Sequence, residues 1–202
     1  MPGEILMEPI ILASSSPRRQ EVLKLMNIPF KVIMPTYKEE IPEGMEVEKI
    51  PEFFAAKKVE SVAKSIPNEK EIPWILGADT MVTLNGKIYG KPESPDQARQ
   101  FLHELKNKTH KVITGIALYN GALHFVSSRT VISEVTFSNM SDDEINWYVN
   151  TGEWHGAAGG YRIQELASCF IKKIKGTNSA VVGLPVFDLY DMLKEQGYSI
   201  ID

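Results

Sequence analysis

Ile10-Ile11-Leu12-Ala13-Ser14-Ser15-Ser16-Pro17-Arg18-Arg19-Gln20-Glu21-Val22-Leu23-Lys24-Leu25-Met26 reads as an apolar strand, a serine-rich turn and a helix. Ile10 to Ala13 forms the strand. Ser16 is the expected N-cap and Pro17 the first helical residue, where a fixed φ and a missing N–H cost nothing. Val22, Leu23, Leu25 and Met26 supply the apolar helix residues. The same alternation continues along the chain. A strand from Phe30 to Met34 ends at Pro35 and opens an acidic, proline-bearing loop, Thr36 to Glu48. A helix from about Pro51 to Ser65 precedes a buried strand from Trp74 to Leu84, and Asn85-Gly86 signals a two-residue hairpin turn. Ser94-Pro95 starts the next helix, with Ala98, Phe101, Leu102 and Leu105 inward.

The second half predicts an antiparallel pair, Val112 to Tyr119 and Leu123 to Phe137, joined by a turn at Asn120-Gly121. Ser141 with Glu144 forms a capping box for a helix ending near Thr151-Gly152. The glycine-rich stretch Gly156 to Gly160 leads to a strand from about Ser168 to Ile174. Pro185 begins a last amphipathic helix carrying Leu189, Met192 and Leu193. Interleaved strands and helices place the chain in the α/β class, with a mixed sheet and flanking helices.

With 202 residues, 43% hydrophobic and 24% charged, the chain can bury one sizeable core or build two closely joined lobes. No repeat, low-complexity tract or linker marks a cut, so one continuous domain over residues 1–202 is expected. A formal charge of -4 argues against a general nucleic-acid binder, so an anionic ligand has to be met by local positive charge. Cys169 is the single cysteine, which excludes an internal disulfide, and the four histidines lack metal-ligand spacing. No apolar run is long enough to span a bilayer and no signal-like pattern precedes Pro9, so a cytoplasmic, non-membrane protein is expected.

Candidate chemistry begins at Ser14-Ser15-Ser16-Pro17-Arg18-Arg19, where hydroxyls, backbone N–H groups and two guanidiniums converge at a positive helix end, as in a phosphate cradle. A plain serine cap with two solvated arginines is the competing reading. Against it, arginine in a first helical turn opposes the helix dipole, costing roughly 0.3–1 kcal/mol unless an anion sits there. Lys58 falls on the same helical stripe as Phe54, Ala55 and Val62, whereas Lys57 points away. An inward lysine either snorkels or meets a partner charge. Asp79 lies within the apolar run Trp74 to Val82, where a carboxylate needs a metal, a cation or several donors. If the Asn85-Gly86 turn pairs Leu84 with Lys87, Thr80 comes opposite Lys91, with Asp79 beside it. From the loop pair Glu39-Glu40, one carboxylate could join Asp79 in holding Mg²⁺, unless the pair is only a solvated face. In Ala157 to Gln164, glycines permit close approach of a ligand and the Gln164 amide both donates and accepts; a flexible turn is the alternative.

Jointly, these motifs resemble the Maf family, nucleoside triphosphate pyrophosphatases once named for septum-formation inhibition. The resemblance rests on Ile11 to Arg19, Gly77-Ala78-Asp79-Thr80, Gly90-Lys91-Pro92, Thr114-Gly115, Ala158 to Tyr161 with Ile163-Gln164, and Val181 to Pro185. It implies an inosine-triphosphatase-like fold of two lobes about a central cleft, a nucleoside triphosphate as substrate, Mg²⁺ or Mn²⁺ as cofactor, and often a homodimer. It also implies Asp79 as proton acceptor and, with Glu39, as metal ligand. Lys58 and Lys91 match the family's lysines. Ser14 falls in the substrate-binding serine motif, and Arg18, Thr80 and Gln164 match positions tied to substrate choice. Gln164 points to the dTTP/UTP branch, whereas Trp154-His155 resembles the branch acting on 7-methylguanosine triphosphate. Arg162, Glu165 and Leu166 depart from the family pattern. A nucleotide sensor without turnover is the rival from another class.

Overall fold

The computed structural model describes residues 7–67 and 74–201. In chain order the elements are β1 (Ile10–Leu12), α1 (Pro17–Leu25), β2 (Phe30–Val32), a 3-10 turn at Val47–Lys49, α2 (Ile50–Ser65), β3 (Ile75–Leu84), β4 (Lys87–Tyr89) and α3 (Pro95–Leu105). They continue with β5 (Thr109–Asn120), β6 (Phe125–Phe137), α4 (Asp142–Thr151), 3-10 turns at Ala158–Gly160 and Leu166–Phe170, β7 (Ile171–Lys175), α5 (Asn178–Val182) and α6 (Val186–Glu195). The strands hydrogen-bond in the order β2-β1-β3-β5-β6-β7, with β4 added to β3. β1 runs parallel to β2 and β3, while β3–β4 and β6–β7 are antiparallel, so the sheet is mixed as expected.

The chain forms two compact units: the described residues of Met1–Asp79, Gly115–Thr130 and Gly183–Asp202, and those of Thr80–Thr114 and Val131–Val182. Each has its own core. In the first, Ile11 and Ala13 of the β1 segment, Ile75 of β3 and Ala117 of β5 pack on Ala55, Val59 and Val62 of α2. In the second, Ala98, Phe101, Leu102 and Leu105 of α3 are all buried, with Tyr148 and Val149 of α4 and Val135 and Phe137 of β6 in the same cluster. Each of the larger of these side chains contributes about 2 kcal/mol by leaving water.

Two glycines set how closely α2 can approach. A Cβ on Gly77 would meet the backbone oxygen of Ala55, and one on Gly115 would run into the backbone of Pro51 and Glu52. Only the missing side chain lets the helix backbone lie against β3 and β5 at those points.

Local signals hold at several junctions. Asn85 and Gly86 both have positive φ, and Leu84 pairs with Lys87, as a type I′ hairpin requires. Ser141 and Glu144 exchange both bonds of the capping box. Ser16 occupies the cap position of α1 but makes no side-chain cap bond; its own N–H donates instead to Ser14 Oγ at 3.3 Å.

Several boundaries differ from expectation: β2 ends at Val32 and not Met34, and β5 already begins at Thr109 and not Val112. The turn after β5 is not confined to Asn120-Gly121 but runs over residues 121–124, because the Asn120 amide oxygen accepts from Ala122 N at 3.1 Å and Leu123 N at 3.2 Å. β6 therefore starts at Phe125, and so short a connection between hydrogen-bonded neighbours makes the pair antiparallel. β7 begins at Ile171 and not near Ser168, since Leu166–Phe170 first coil into a 3-10 turn.

Candidate active site

Parallel strands β1 and β3 end on the same side, and the chain leaving β2 returns there through the acidic loop. The region beyond the carboxyl ends of parallel strands is where α/β sheets bind ligands. In the first unit, three of the sequence-nominated residues meet at this place. Lys58 Nζ, its side chain 11% exposed, lies 2.5 Å from Asp79 Oδ1 and 3.2 Å from Glu39 Oε1. The helical stripe drives the lysine inward: Phe54, Ala55, Val59 and Val62 around it are all buried. Asp79 is half-buried at the point where β3 has passed the last residue it pairs with on β1, Leu76 opposite Leu12.

Glu39 and Glu40 separate cleanly. Glu39 joins Lys58, whereas Glu40 pairs with Lys38 out in solvent. Tyr37 stands nearby, its hydroxyl 3.5 Å from the Phe54 carbonyl. Burial and the negative charges of Glu39 and Asp79 push its pKa up, so the phenol keeps its proton.

The serine-rich turn is built around Arg19, a residue that sequence reasoning placed in the cradle but did not single out. Arg19 Nη1 donates to the buried Ser14 Oγ at 2.9 Å, and its Nε donates to the Gly183 carbonyl at 2.9 Å. Burial lowers its pKa, while Asp79 and Glu39 pull it back up and Arg18 lowers it again, which places these charges within electrostatic reach of one another. Helical spacing carried the signal: Arg19 shares its stripe with Val22 and Leu23, the two buried residues of α1. Arg18 is half-buried.

The second unit carries the remaining nominated residues. Thr80 Oγ1 lies 3.0 Å from Thr114 Oγ1, which in turn donates to the Ala180 carbonyl at 2.8 Å. Since Thr114 spends its single proton on Ala180, Thr80 is the donor between the two hydroxyls. The pairing expected between Thr80 and Lys91 does not form. The β3–β4 ladder ends with Val82 opposite Tyr89, and the Gly90 carbonyl turns away to accept from Gly159 N at 3.0 Å. Lys91 is exposed, and the ammonium that meets Asp79 is that of Lys58.

Gln164 is exposed, between the buried side chains of Ile163 and Ala167. Among the described residues no hydrogen bond engages its amide. Tyr161 anchors the same segment through a 2.7 Å contact between its hydroxyl and His110 Nε2. Trp154 is committed to the core: it is buried, its indole N–H donates to the Val149 carbonyl at 3.0 Å, and its ring stacks on His155 at 3.7 Å.

Chemically, the first unit offers a carboxylate pair and two cations on one patch. Two carboxylates are a usual protein contribution to a Mg²⁺ site that substrate phosphates and water complete, so Asp79 and Glu39 fit such an ion. Among the described residues no group of three or more His, Cys, Asp or Glu could hold a metal without such help. No helix among them is long and apolar enough to cross a membrane.

Known proteins resemble this chain over nearly its whole length. The dTTP/UTP pyrophosphatase of Halalkalibacterium halodurans is 40% identical over 195 residues, covering 96% of this chain and 98% of that protein. The dTTP/UTP pyrophosphatase of Pelotomaculum thermopropionicum is 37% identical, covering 96% and 100% respectively. That of Pyrococcus furiosus is 38% identical, covering 93% and 95%. Among solved structures, the Staphylococcus aureus Ham1 protein matches 64% of this chain and 72% of its own at a TM-score of 0.44 and 17% identity, too slight a likeness to add to the assignment. The pattern of the Maf-like protein family matches residues 9–196, and with relatives this similar from end to end the chain belongs to the Maf family.

Proposed function

We propose that this protein hydrolyses dTTP and UTP to the monophosphate and pyrophosphate. The observation that carries the reading is the end-to-end similarity to relatives named dTTP/UTP pyrophosphatase, at 37–40% identity. The commitment of Trp154 to the core favours it over 7-methylguanosine triphosphate, since that indole is not presented for stacking on a base.

In this reading Asp79 and Glu39 hold a divalent cation, Mg²⁺ or Mn²⁺, whose charge offsets that of the triphosphate. Asp79 orients a water, or takes its proton, for attack on the α-phosphorus, and pyrophosphate leaves. Lys58, Arg18, Arg19 and Lys91 neutralise phosphate oxygens, with Ser14 holding Arg19 in place; positioning and charge are most of what a protein supplies in this reaction. Thr80 and Gln164 select the base. The protein is further proposed to act in the cytoplasm, on free nucleotides, as a homodimer.

Pyrophosphate release from a panel of common, methylated and modified nucleoside triphosphates, with and without Mg²⁺ or Mn²⁺, tests the reading alongside Asp79→Asn. Metal-dependent release from dTTP and UTP that Asp79→Asn abolishes is the expected result. Release confined to 7-methylguanosine triphosphate overturns the base assignment. Normal turnover by Asp79→Asn overturns the mechanism, and no release from any nucleotide overturns the enzyme reading altogether.

A further inference from the structure

Arg162 and Glu165, which flank Ile163-Gln164, are partners of each other. Arg162 Nη1 lies 3.2 Å from Glu165 Oε1, and the backbone N–H of Glu165 donates to the Arg162 carbonyl at 3.3 Å. Residues 162–165 are thus a turn closed twice, by its backbone and by the side chains of its first and last residues. Gln164 is the third residue of that turn, at its exposed tip.

The turn is also fixed from outside. Arg162 Nη2 donates to the His155 carbonyl at 2.9 Å, and on the far side of Gln164 the Leu166 N–H donates to the Glu153 carboxylate at 3.0 Å. One segment, Glu153 to His155, therefore grips the turn at both ends. The buried side chains of Tyr161, just before the turn, and Ile163, its second residue, pin the chain there. A glutamine amide on a backbone fixed this way keeps only the freedom of its own three side-chain torsions. That is the condition under which a donor–acceptor pair can discriminate one base edge from another.

We propose that the Arg162–Glu165 pair is a specificity-determining clamp that positions the Gln164 amide for the pyrimidine of the substrate. The inference rests on the reading above, in which this protein turns over dTTP and UTP and Gln164 faces the base. Breaking either side of the clamp leaves the amide present but its backbone free to move, so binding and base choice weaken while the chemical step does not.

The test compares wild type, Arg162→Ala, Glu165→Gln, the double variant and the conservative Arg162→Lys. Each is assayed for kcat and KM on dTTP, UTP and CTP, and for amide hydrogen exchange over residues 161–167 without nucleotide. Each single variant should raise KM for dTTP and narrow the preference for UTP over CTP by about three- to fivefold, the scale a half-exposed ion pair can sustain, with kcat within about twofold. Exchange at 163–165 should quicken in step. The double variant should be no worse than either single one, because both break the same contact, and Arg162→Lys should recover part of the preference.

Glu165→Gln keeps the shape of the side chain, so it reports even if Arg162→Ala folds poorly. Unchanged base preference in Glu165→Gln, or loss confined to kcat, overturns the clamp while leaving the pyrophosphatase reading intact. Wild-type protein without turnover on any triphosphate fails that reading, and the clamp falls with it.

Discussion

The Lys58 ammonium touches Asp79 at 2.5 Å and reaches Glu39 at 3.2 Å, so a single buried cation ties a strand carboxylate to a loop carboxylate 40 residues earlier in the chain. Replacing that cation with an apolar side chain of similar length isolates two carboxylates and strips positive charge from the patch. Lys58→Met should therefore lower kcat/KM for dTTP by about a hundredfold or more, in line with the removal of a charge-stabilising group from an active site. Steady-state kinetics beside a thermal melt separates this from unfolding. Activity within threefold of wild type would remove Lys58 from the chemistry.

The two loop glutamates give a paired prediction. Glu39 shares Lys58 with Asp79, whereas Glu40 faces Lys38 with both side chains largely in water. Glu39→Gln should cut turnover at least about tenfold and raise the Mg²⁺ concentration needed for half-maximal rate. Glu40→Gln should change neither, as exposed ion pairs contribute little. The opposite ranking would exchange their roles.

Arg19 spans two acceptors that a lysine cannot reach together, Ser14 Oγ and the Gly183 carbonyl, each at 2.9 Å. A guanidinium offers a fixed fork of donors; an ammonium offers a point charge. Arg19→Lys should keep the charge yet leave one acceptor unpaired, destabilising the fold by about 1–2 kcal/mol and raising KM for dTTP by about tenfold. Urea denaturation and KM measured on the same preparation check both. A variant indistinguishable from wild type in KM would reduce Arg19 to a structural tie.

Sequence carried these features unequally, for physical reasons. Lys58 was legible because helical periodicity alone puts it on the face of Phe54, Ala55 and Val62, and the hairpin was legible because Asn85-Gly86 demands positive φ at both positions. The approach of Lys91 to Thr80 was not. It required the ladder to run two residues past Tyr89, and Gly90 instead bonds to Gly159, far along the chain. The clamp around Gln164 was hidden for a similar reason. Arg162 and Glu165 are visible as an ordinary spacing of opposite charges, but the His155 carbonyl that fixes the arginine is supplied by tertiary structure. The length of the turn after Asn120 depended on one side chain accepting two backbone bonds, a local option no periodicity reports.

His110 provides a prediction in pH. Its ring is buried edge-on to Phe137 at 5.0 Å, its Nε2 meets the Tyr161 hydroxyl at 2.7 Å, and its Nδ1 has no partner among the described residues. Burial lowers its pKa from 6.5 to about 4, because no nearby anion offsets the cost of charging it in an apolar cluster. The unfolded chain therefore takes up a proton near pH 6.5, while the folded protein does so only near pH 4. Between those values the unfolded state holds more protons, so this group's contribution to stability is complete above the upper value and is lost as the pH falls. At roughly 1.4 kcal/mol per pH unit of difference, the full loss is on the order of 3 kcal/mol. His110→Phe keeps the aromatic packing and has no proton to gain. The stability gap between wild type and His110→Phe, measured by urea unfolding at pH 7.5 and pH 4.5, should shift by about 2–3 kcal/mol in favour of the variant at the lower pH. A gap that stays constant over that range would mean that the folded protein accommodates a charged imidazole beside Tyr161.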